Sequence, residues 1–166
     1  ERLGPTYIKL GQIISSGEGL FPSELVEEFK RCRDQVPAES FDEVRRVVEE
    51  DLGRPLDEVF EHFERTPIAA ASIAQVHAAR LRPTDGSDHG PEVVVKVQRP
   101  TIRTQVHSDL KVMSWLAPFL VGRIPIAALA NPPALVELFA QTITEELDFR
   151  LEAENMLDVA QSCAEL

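Results

Sequence analysis

A run of small residues near the middle of the chain has the spacing of a phosphate-binding loop. The pattern G-x-G-x-x-G-x-V agrees position by position with A-A-A-S-I-A-Q-V from Ala69 to Val76, except that alanine replaces each glycine. Glycine reaches positive φ at little cost, whereas alanine resists that conformation. We therefore expect a stiff loop in which Ala69, Ala70, Ala71 and Ser72 cover nucleotide phosphates. Ordinary tight packing of small side chains is the alternative interpretation.

A lysine ends an apolar run downstream of this loop. Val93-Val94-Val95-Lys96 corresponds to the strand pattern V-A-I-K, whose lysine reaches a phosphate oxygen as a point charge. Val94 replaces the alanine of that pattern and narrows the space over a nucleotide base, so the preferred nucleotide stays open. We expect Val76, Val94 and Lys96 to line one nucleotide site. A lysine that merely closes a buried strand is the alternative.

Composition bounds the class of protein. The 166 residues, 43% of them hydrophobic, suffice for the core of one ordinary domain. The net charge of -11 argues against a nucleic-acid partner, which would require clustered Lys and Arg. Cys32 and Cys163 lie far apart without metal-ligand spacing, which favours a reducing compartment and no disulfide framework. No metal-ligating residue is predicted in this chain. Since the chain starts at Glu1, we expect it to be part of a longer protein.

The first third of the chain has helical patterns. Pro5 is typical of a first helical position, and the helix that it predicts carries Lys9 and Gln12. A second helix is predicted between Pro22 and Pro37. Ser40 and Glu43 form a capping box ahead of an apolar stripe that Gly53 terminates, which predicts a third helix.

The middle of the chain has strand patterns. After a short helix that begins near Pro55, strands are predicted at 60–67, 73–81 and 92–98, the last two joined by a polar hairpin connection. These segments predict an antiparallel sheet of three strands. Together with the flanking helices, the sheet predicts an α+β fold.

Helical patterns return after Thr101. One apolar face is predicted to consist of Ile102, Val106, Leu110, Met113 and Leu116. The stretch 112–130 carries one charge, Arg123, but its prolines and glycine disfavour a membrane span, and a packed helix pair or a membrane-touching surface is favoured instead. Pro132 opens a last long helix, predicted to run to about Ala160.

Four motifs carry a family resemblance. The stretches G-P-T-Y-I-K-L-G-Q, P-I-A-A-A-S-I-A-Q-V-H, V-V-V-K-V-Q-R-P and E-L-D-F-R-L-E-A-E-N occur in this order. With them the chain resembles the UbiB family of atypical kinase-like proteins over nearly its whole length. The resemblance implies a protein-kinase-like small lobe of antiparallel sheet plus helix at residues 54–166, after a helical extension at residues 1–53. The hinge, catalytic loop and metal triplet would follow Leu166, so this chain alone is expected to be inactive.

The resemblance also implies roles for single residues. Lys96 and Glu152 would form the kinase-type ion pair. Lys9 and Gln12 would belong to a helix that folds over the site, with Lys9 meeting Glu146 and Asp148. A solvated acidic helix face is the alternative for these acids. Glu146 and Glu152 point about 120° apart on a straight helix, so the helix begins or bends near Asp148, or the two acids serve opposite sides of the site.

The implied activity is binding of ATP or ADP with Mg²⁺, followed by slow hydrolysis or by transfer to a small or lipid-like molecule. The family is associated with isoprenoid-quinone biosynthesis, so a quinone precursor or lipid and a membrane surface are implied partners. A cytoplasmic location at the inner face of a membrane is implied as well. A catalytically inactive, nucleotide-gated scaffold or lipid-binding module is the alternative. An ordinary protein kinase is disfavoured, because the alanine loop and the Lys9 helix have no place in one.

Overall fold

The structure, a computed structural model, describes residues 4–16, 26–27, 37–84, 86–123 and 131–164. The chain divides into two compact units. Unit 1 comprises Glu1–Ile8 and Arg33–Thr104, and unit 2 comprises Lys9–Cys32 and Gln105–Leu166. The helix predicted between Pro22 and Pro37 lies outside the described residues, apart from Val26 and Glu27.

Helix α1 is Pro5–Ser16, and the division between the two units falls within it. The carbonyl of Gly4 accepts the backbone N–H groups of Tyr7 and Ile8 at 3.1 and 3.3 Å, which closes the first turn. Proline fits the first position because its missing N–H has no partner there in any helix. The predicted start of this helix at Pro5 is confirmed.

Helix α2, Phe41–Leu52, forms where the capping signals predict it. The Ser40 hydroxyl accepts the Glu43 N–H at 3.3 Å, and Gly53 ends the helix at φ 67°, a conformation that glycine adopts without strain. Helix α3, Leu56–Val59, follows at once. The Glu49 carboxylate accepts the Leu56 N–H at 2.9 Å and joins the two helices, and this hydrogen bond lowers the pKa of Glu49.

The sheet of unit 1 has four antiparallel strands among the described residues: β1, Phe60–Phe63; β2, Ala69–Ala70; β3, Ala74–Leu81; and β4, Glu92–Gln98. Strand β4 pairs along one edge of β3, while β1 and β2 pair with successive parts of its other edge. The prediction of three strands was therefore incomplete. The predicted first strand ends at Phe63 rather than Pro67, and Ala69 and Ala70 form a separate short strand.

Helix α2 covers one face of this sheet, here called the first face. Val44 and Val48 of α2 are buried together with side chains of α3 and the sheet: Leu56, Phe60, Phe63, Ala79 and Val97. The Phe60 and Phe63 rings meet edge to face, with their centroids 5.2 Å apart. This apolar core fixes the register of the sheet, because a shift by one residue would turn its buried side chains to the opposite face. The domain boundary predicted after Gly53 stays a prediction.

Three helices follow the sheet: α4, Ile102–Leu120; α5, Pro132–Glu146; and α6, Phe149–Ala164. Unit 2 contains α5, α6 and all of α4 after Thr104. The prediction of one long helix from Pro132 to Ala160 is wrong, because the chain breaks at Leu147 and Asp148. The Asp148 carboxylate accepts the Arg150 N–H at 3.1 Å and so caps the start of a new helix. Glu146 and Glu152 therefore do not lie on one straight helix: a new helix begins directly after Asp148, which is one of the alternatives given above.

Helix α4 buries a narrower stripe than its sequence predicts. Ile102, Val106, Met113 and Ala117 are buried, but Leu116, predicted on the same face, is 44% exposed. Trp115 and Phe119 are also exposed, and their ring centroids lie 5.2 Å apart. Within the described ranges, no helix combines the length and the apolar character needed to cross a membrane.

Candidate nucleotide site

The alanine loop, residues 69–74, comprises strand β2, the turn at residues 71–73 and the first residue of β3. Ala69 pairs with Val76 and Ala70 with Gln75, and the Ala71 N–H donates to the Ala74 carbonyl at 2.8 Å. Outside glycine, positive φ occurs in the described residues only at Asn131, so the alanines keep the conformations that suit them. The loop is thus a tight hairpin built without glycine.

Lys96 lies beside this hairpin on the second face of the sheet, the face opposite α2. Val93, Val95 and Val97 of β4 pack toward the core on the first face, so the alternating residues Val94 and Lys96 occupy the second. Both are exposed, Val94 by 69%. Val76 pairs directly with Lys96 and therefore shares that face. The fold brings together the lysine, the two valines and the end of the alanine loop.

Arg99 binds the alanine loop from within the protein. It is 6% exposed and donates from Nε to the Ala71 carbonyl at 3.1 Å, while its backbone N–H donates to the Ile73 carbonyl at 3.0 Å. Its Nη1 donates to Glu39 Oε1 at 2.6 Å and its Nη2 to the Pro37 carbonyl at 2.9 Å. One residue therefore joins two loop carbonyls to the segment that precedes α2.

Two buried side chains of β3 extend these contacts. Gln75 Oε1 accepts the Glu39 N–H at 2.8 Å, so its Nε2 donates to His77 Nε2 at 2.9 Å. His77 Nδ1 then carries the proton and donates to the Glu64 carbonyl at 2.8 Å. Glu39, Gln75, His77 and Arg99, with the backbone groups that they bind, are here called the Arg99 network.

In unit 2, Lys9 of α1 pairs with Glu146 at the end of α5. Lys9 Nζ lies 2.6 Å from Glu146 Oε2, and the two side chains are 21% and 33% exposed. Gln12 is half-buried one turn further along α1. The K-x-G-Q helix and the E-x-D segment thus meet in this unit, while the functional roles of Lys9, Gln12 and Glu146 stay predictions.

The acidic junction, residues 146–148, connects α5 and α6. Besides capping α6, Asp148 binds the Arg150 guanidinium through both carboxylate oxygens, at 2.9 and 2.8 Å, and raises the pKa of Arg150. Glu152 lies exposed in the first turn of α6. Lys96 belongs to unit 1 and Glu152 to unit 2, and their ion pair stays a prediction.

Comparison with known proteins identifies the family. Residues 31–166 match the family model of the ABC1 atypical kinase-like domain. The chain belongs to this family. The match confirms the predicted kinase-like α+β fold, which the antiparallel sheet and the helices of this ABC1 domain display. It also confirms the resemblance to UbiB-type proteins.

Relatives of this ABC1 domain come from plants and bacteria. An uncharacterized chloroplastic aarF domain-containing protein kinase of Arabidopsis thaliana is 44% identical over 159 residues, covering 94% of this chain and 28% of the relative. A probable protein kinase UbiB of Aeromonas salmonicida is 38% identical over 162 residues, covering 98% and 29%. An uncharacterized Mycobacterium tuberculosis protein is 45% identical over 154 residues, covering 93% and 30%. The chain spans less than a third of the length of these relatives.

Within the described part of this ABC1 domain, no cluster of three or more His, Cys, Asp or Glu side chains is arranged to hold an ion. Glu146 and Asp148 are the two acids of the E-x-D motif. Glu146 forms an ion pair with Lys9, and Asp148 forms one with Arg150.

The sequence analysis did not assign a role to Arg99, Glu39, Gln75 or His77. Gln75 and His77 lie two residues apart in β3, on the same face as the apolar Ala79 and Leu81. This alternation could have predicted a buried, hydrogen-bonded polar pair. For Arg99 and Glu39 the available signal was weaker, because they lie far apart in the chain and neither has a local partner that the sequence reveals.

Proposed function

We propose that this chain is the nucleotide-binding part of a UbiB-type atypical kinase or ATPase. The observation that carries the proposal is the pairing of Lys96 with Val76 on the second face, immediately beside the alanine loop. A lysine at this position supplies a point charge for phosphate oxygens. Among the described residues, Ser72 and Ile73 are buried and their N–H groups donate no hydrogen bond, so an anion that binds beside the loop would satisfy these groups.

Each site residue has a role in this proposal. Lys96 binds the phosphates of ATP or ADP, the loop from Ala69 to Ser72 covers them, and Val76 and Val94 contact the base. Glu152 orients Lys96. Lys9, Gln12, Glu146 and Asp148 form a second group at the site and restrict which acceptor the phosphoryl group can reach. Mg²⁺, bound through the nucleotide, would neutralise the phosphate charge.

The biological role is proposed at the level of the family. A part in isoprenoid-quinone biosynthesis or lipid homeostasis follows from the resemblance to UbiB proteins, with a quinone precursor or lipid as the acceptor. Residues 54–166 would form the small lobe, with residues 1–53 as its extension. The exposed Trp115 and Phe119 on α4 are compatible with a location at a membrane surface. The resemblance implies the cytoplasmic side.

The test uses the full-length protein and the thermal shift produced by ATP or ADP with Mg²⁺. Lys96→Ala is expected to abolish the shift, since the loss of a charged contact to phosphate weakens binding by about tenfold or more. Arg80→Ala is the matched control, because Arg80 is a cation on the same face whose partner is Glu92 at 2.6 Å. An unchanged shift in Lys96→Ala contradicts the proposal. Binding without turnover would assign the protein to the scaffold alternative.

A further inference from the structure

At the end of strand β4, Lys96 and Arg99 present a cation on each face of the sheet. Side chains alternate along a strand, so Arg99 follows Val97 onto the first face, while Lys96 lies on the second. The contacts of Arg99 agree with this placement, because its guanidinium reaches Pro37 and Glu39, the residues that lead into α2. The two cations therefore approach the alanine loop from opposite sides.

The contact between Arg99 and Ala71 sets the direction of one peptide group in the loop. The Ala71 carbonyl points to Arg99, and a planar trans peptide directs its N–H, which belongs to Ser72, the opposite way. Since Arg99 reaches the loop from the first face, this N–H is directed toward the second face, on which Lys96 lies. The bond from the Arg99 N–H to the Ile73 carbonyl holds the other end of the turn. A peptide flip would bring positive φ, which alanine resists.

We infer that Arg99 is a positioning residue that aims the Ser72 N–H at the phosphates of a bound nucleotide. The inference rests on the proposed function. It adds a buried side chain that fixes the loop backbone, which glycine-rich loops do not need. In such loops the backbone adapts to the phosphates, whereas here a buried guanidinium selects one backbone arrangement in advance. Preorganised donors of this kind bind anions without a further ordering cost.

Glu39 makes this role possible by balancing the buried charge. A guanidinium taken out of water must be paired, and Glu39 provides the carboxylate at 2.6 Å. Arginine is also needed for its shape, because its fork reaches Ala71, Glu39 and Pro37 at once. A lysine keeps the charge but cannot hold three separate acceptors in fixed directions. Arg99→Lys therefore separates positioning from charge.

The experiment compares Arg99→Lys with Arg103→Lys in the full-length protein. Arg103 is an exposed arginine near the same strand end, where its Nε donates to Gln98 Oε1 at 2.9 Å. Dissociation constants for ATP and ADP with Mg²⁺ are measured by calorimetry at a temperature at which circular dichroism shows each protein folded. Arg99→Lys is expected to bind about tenfold more weakly than the wild type, while Arg103→Lys binds equally well.

Each outcome decides the inference. Wild-type affinity in a folded Arg99→Lys protein overturns it and shows a purely structural role, while loss of binding in Lys96→Ala keeps the proposed function intact. A wild-type protein that binds no nucleotide overturns both. If Arg99→Lys does not fold, Glu39→Gln replaces it. Glutamine has the size of glutamate, and the Glu39 side chain is 33% exposed, so this substitution disturbs the packing little. An affinity about threefold lower then supports the inference, and an unchanged affinity overturns it.

Discussion

The alanine loop of unit 1 and the acidic junction of unit 2 are both predicted to serve a nucleotide, but they are held in different ways. The loop is fixed by hydrogen bonds from the buried Arg99 network. The junction is held by partly exposed ion pairs, Lys9 with Glu146 and Asp148 with Arg150. Exposed pairs contribute at most about 1 kcal/mol, whereas an unsatisfied buried group costs about 1–3 kcal/mol. The loop is therefore expected to keep one arrangement, while the junction can exchange partners when a ligand binds.

The largest effect is expected on the loop side of this comparison. His77→Phe keeps a ring but leaves the Gln75 amide and the Glu64 carbonyl without their partner. We expect the free energy of unfolding to fall by about 2 kcal/mol. Urea denaturation of the full-length protein measures it, with His62→Phe as the control because His62 is an exposed histidine on β1. Equal stabilities of the two variants would show that the network does not brace the loop.

A smaller effect is expected at the junction. Asp148→Ala removes the cap of α6 and the partner of Arg150, which is expected to weaken the first turn of α6 by about 1 kcal/mol. Hydrogen exchange of residues 149–153 in the full-length protein should then be about fivefold faster. Asp148→Asn is the control, since asparagine also caps helices. A loss of stability as large as that of His77→Phe would remove the contrast between the two regions.

Local signals in the sequence determine much of the fold. Ser40 and Gly53 bound α2 through caps that act within one turn, and the bounds of β4 agree with the prediction at both ends. The sequence predicted one long helix from Pro132 and left a break near Asp148 as one of two alternatives, because the surrounding residues suit a continuous helix. The contact of the Asp148 carboxylate with the Arg150 N–H shows that a new helix starts there. Strand β2 was missed because two alanines carry no strand pattern of their own.

Less of the candidate site than of the fold could be predicted from the sequence. The spacing of the alanines and of Lys96 predicted that the loop and the lysine serve one nucleotide site, and the resemblance led to Lys9 and Glu146, which form an ion pair. Arg99 escaped notice because its partners Pro37 and Glu39 lie far away in the chain and become neighbours only after the sheet has formed. The pair of Lys96 with Glu152 stays a prediction.

The measurement that tests the account most directly is hydrogen exchange at the Ser72 and Ile73 amides of the full-length protein, with and without saturating ATP and Mg²⁺. If the alanine loop covers the phosphates, exchange at these amides slows strongly when the nucleotide binds, and the slowing is absent in Lys96→Ala. If residues 69–74 exchange at the same rate in both conditions while the nucleotide still stabilises the protein, the nucleotide binds elsewhere and the account is wrong.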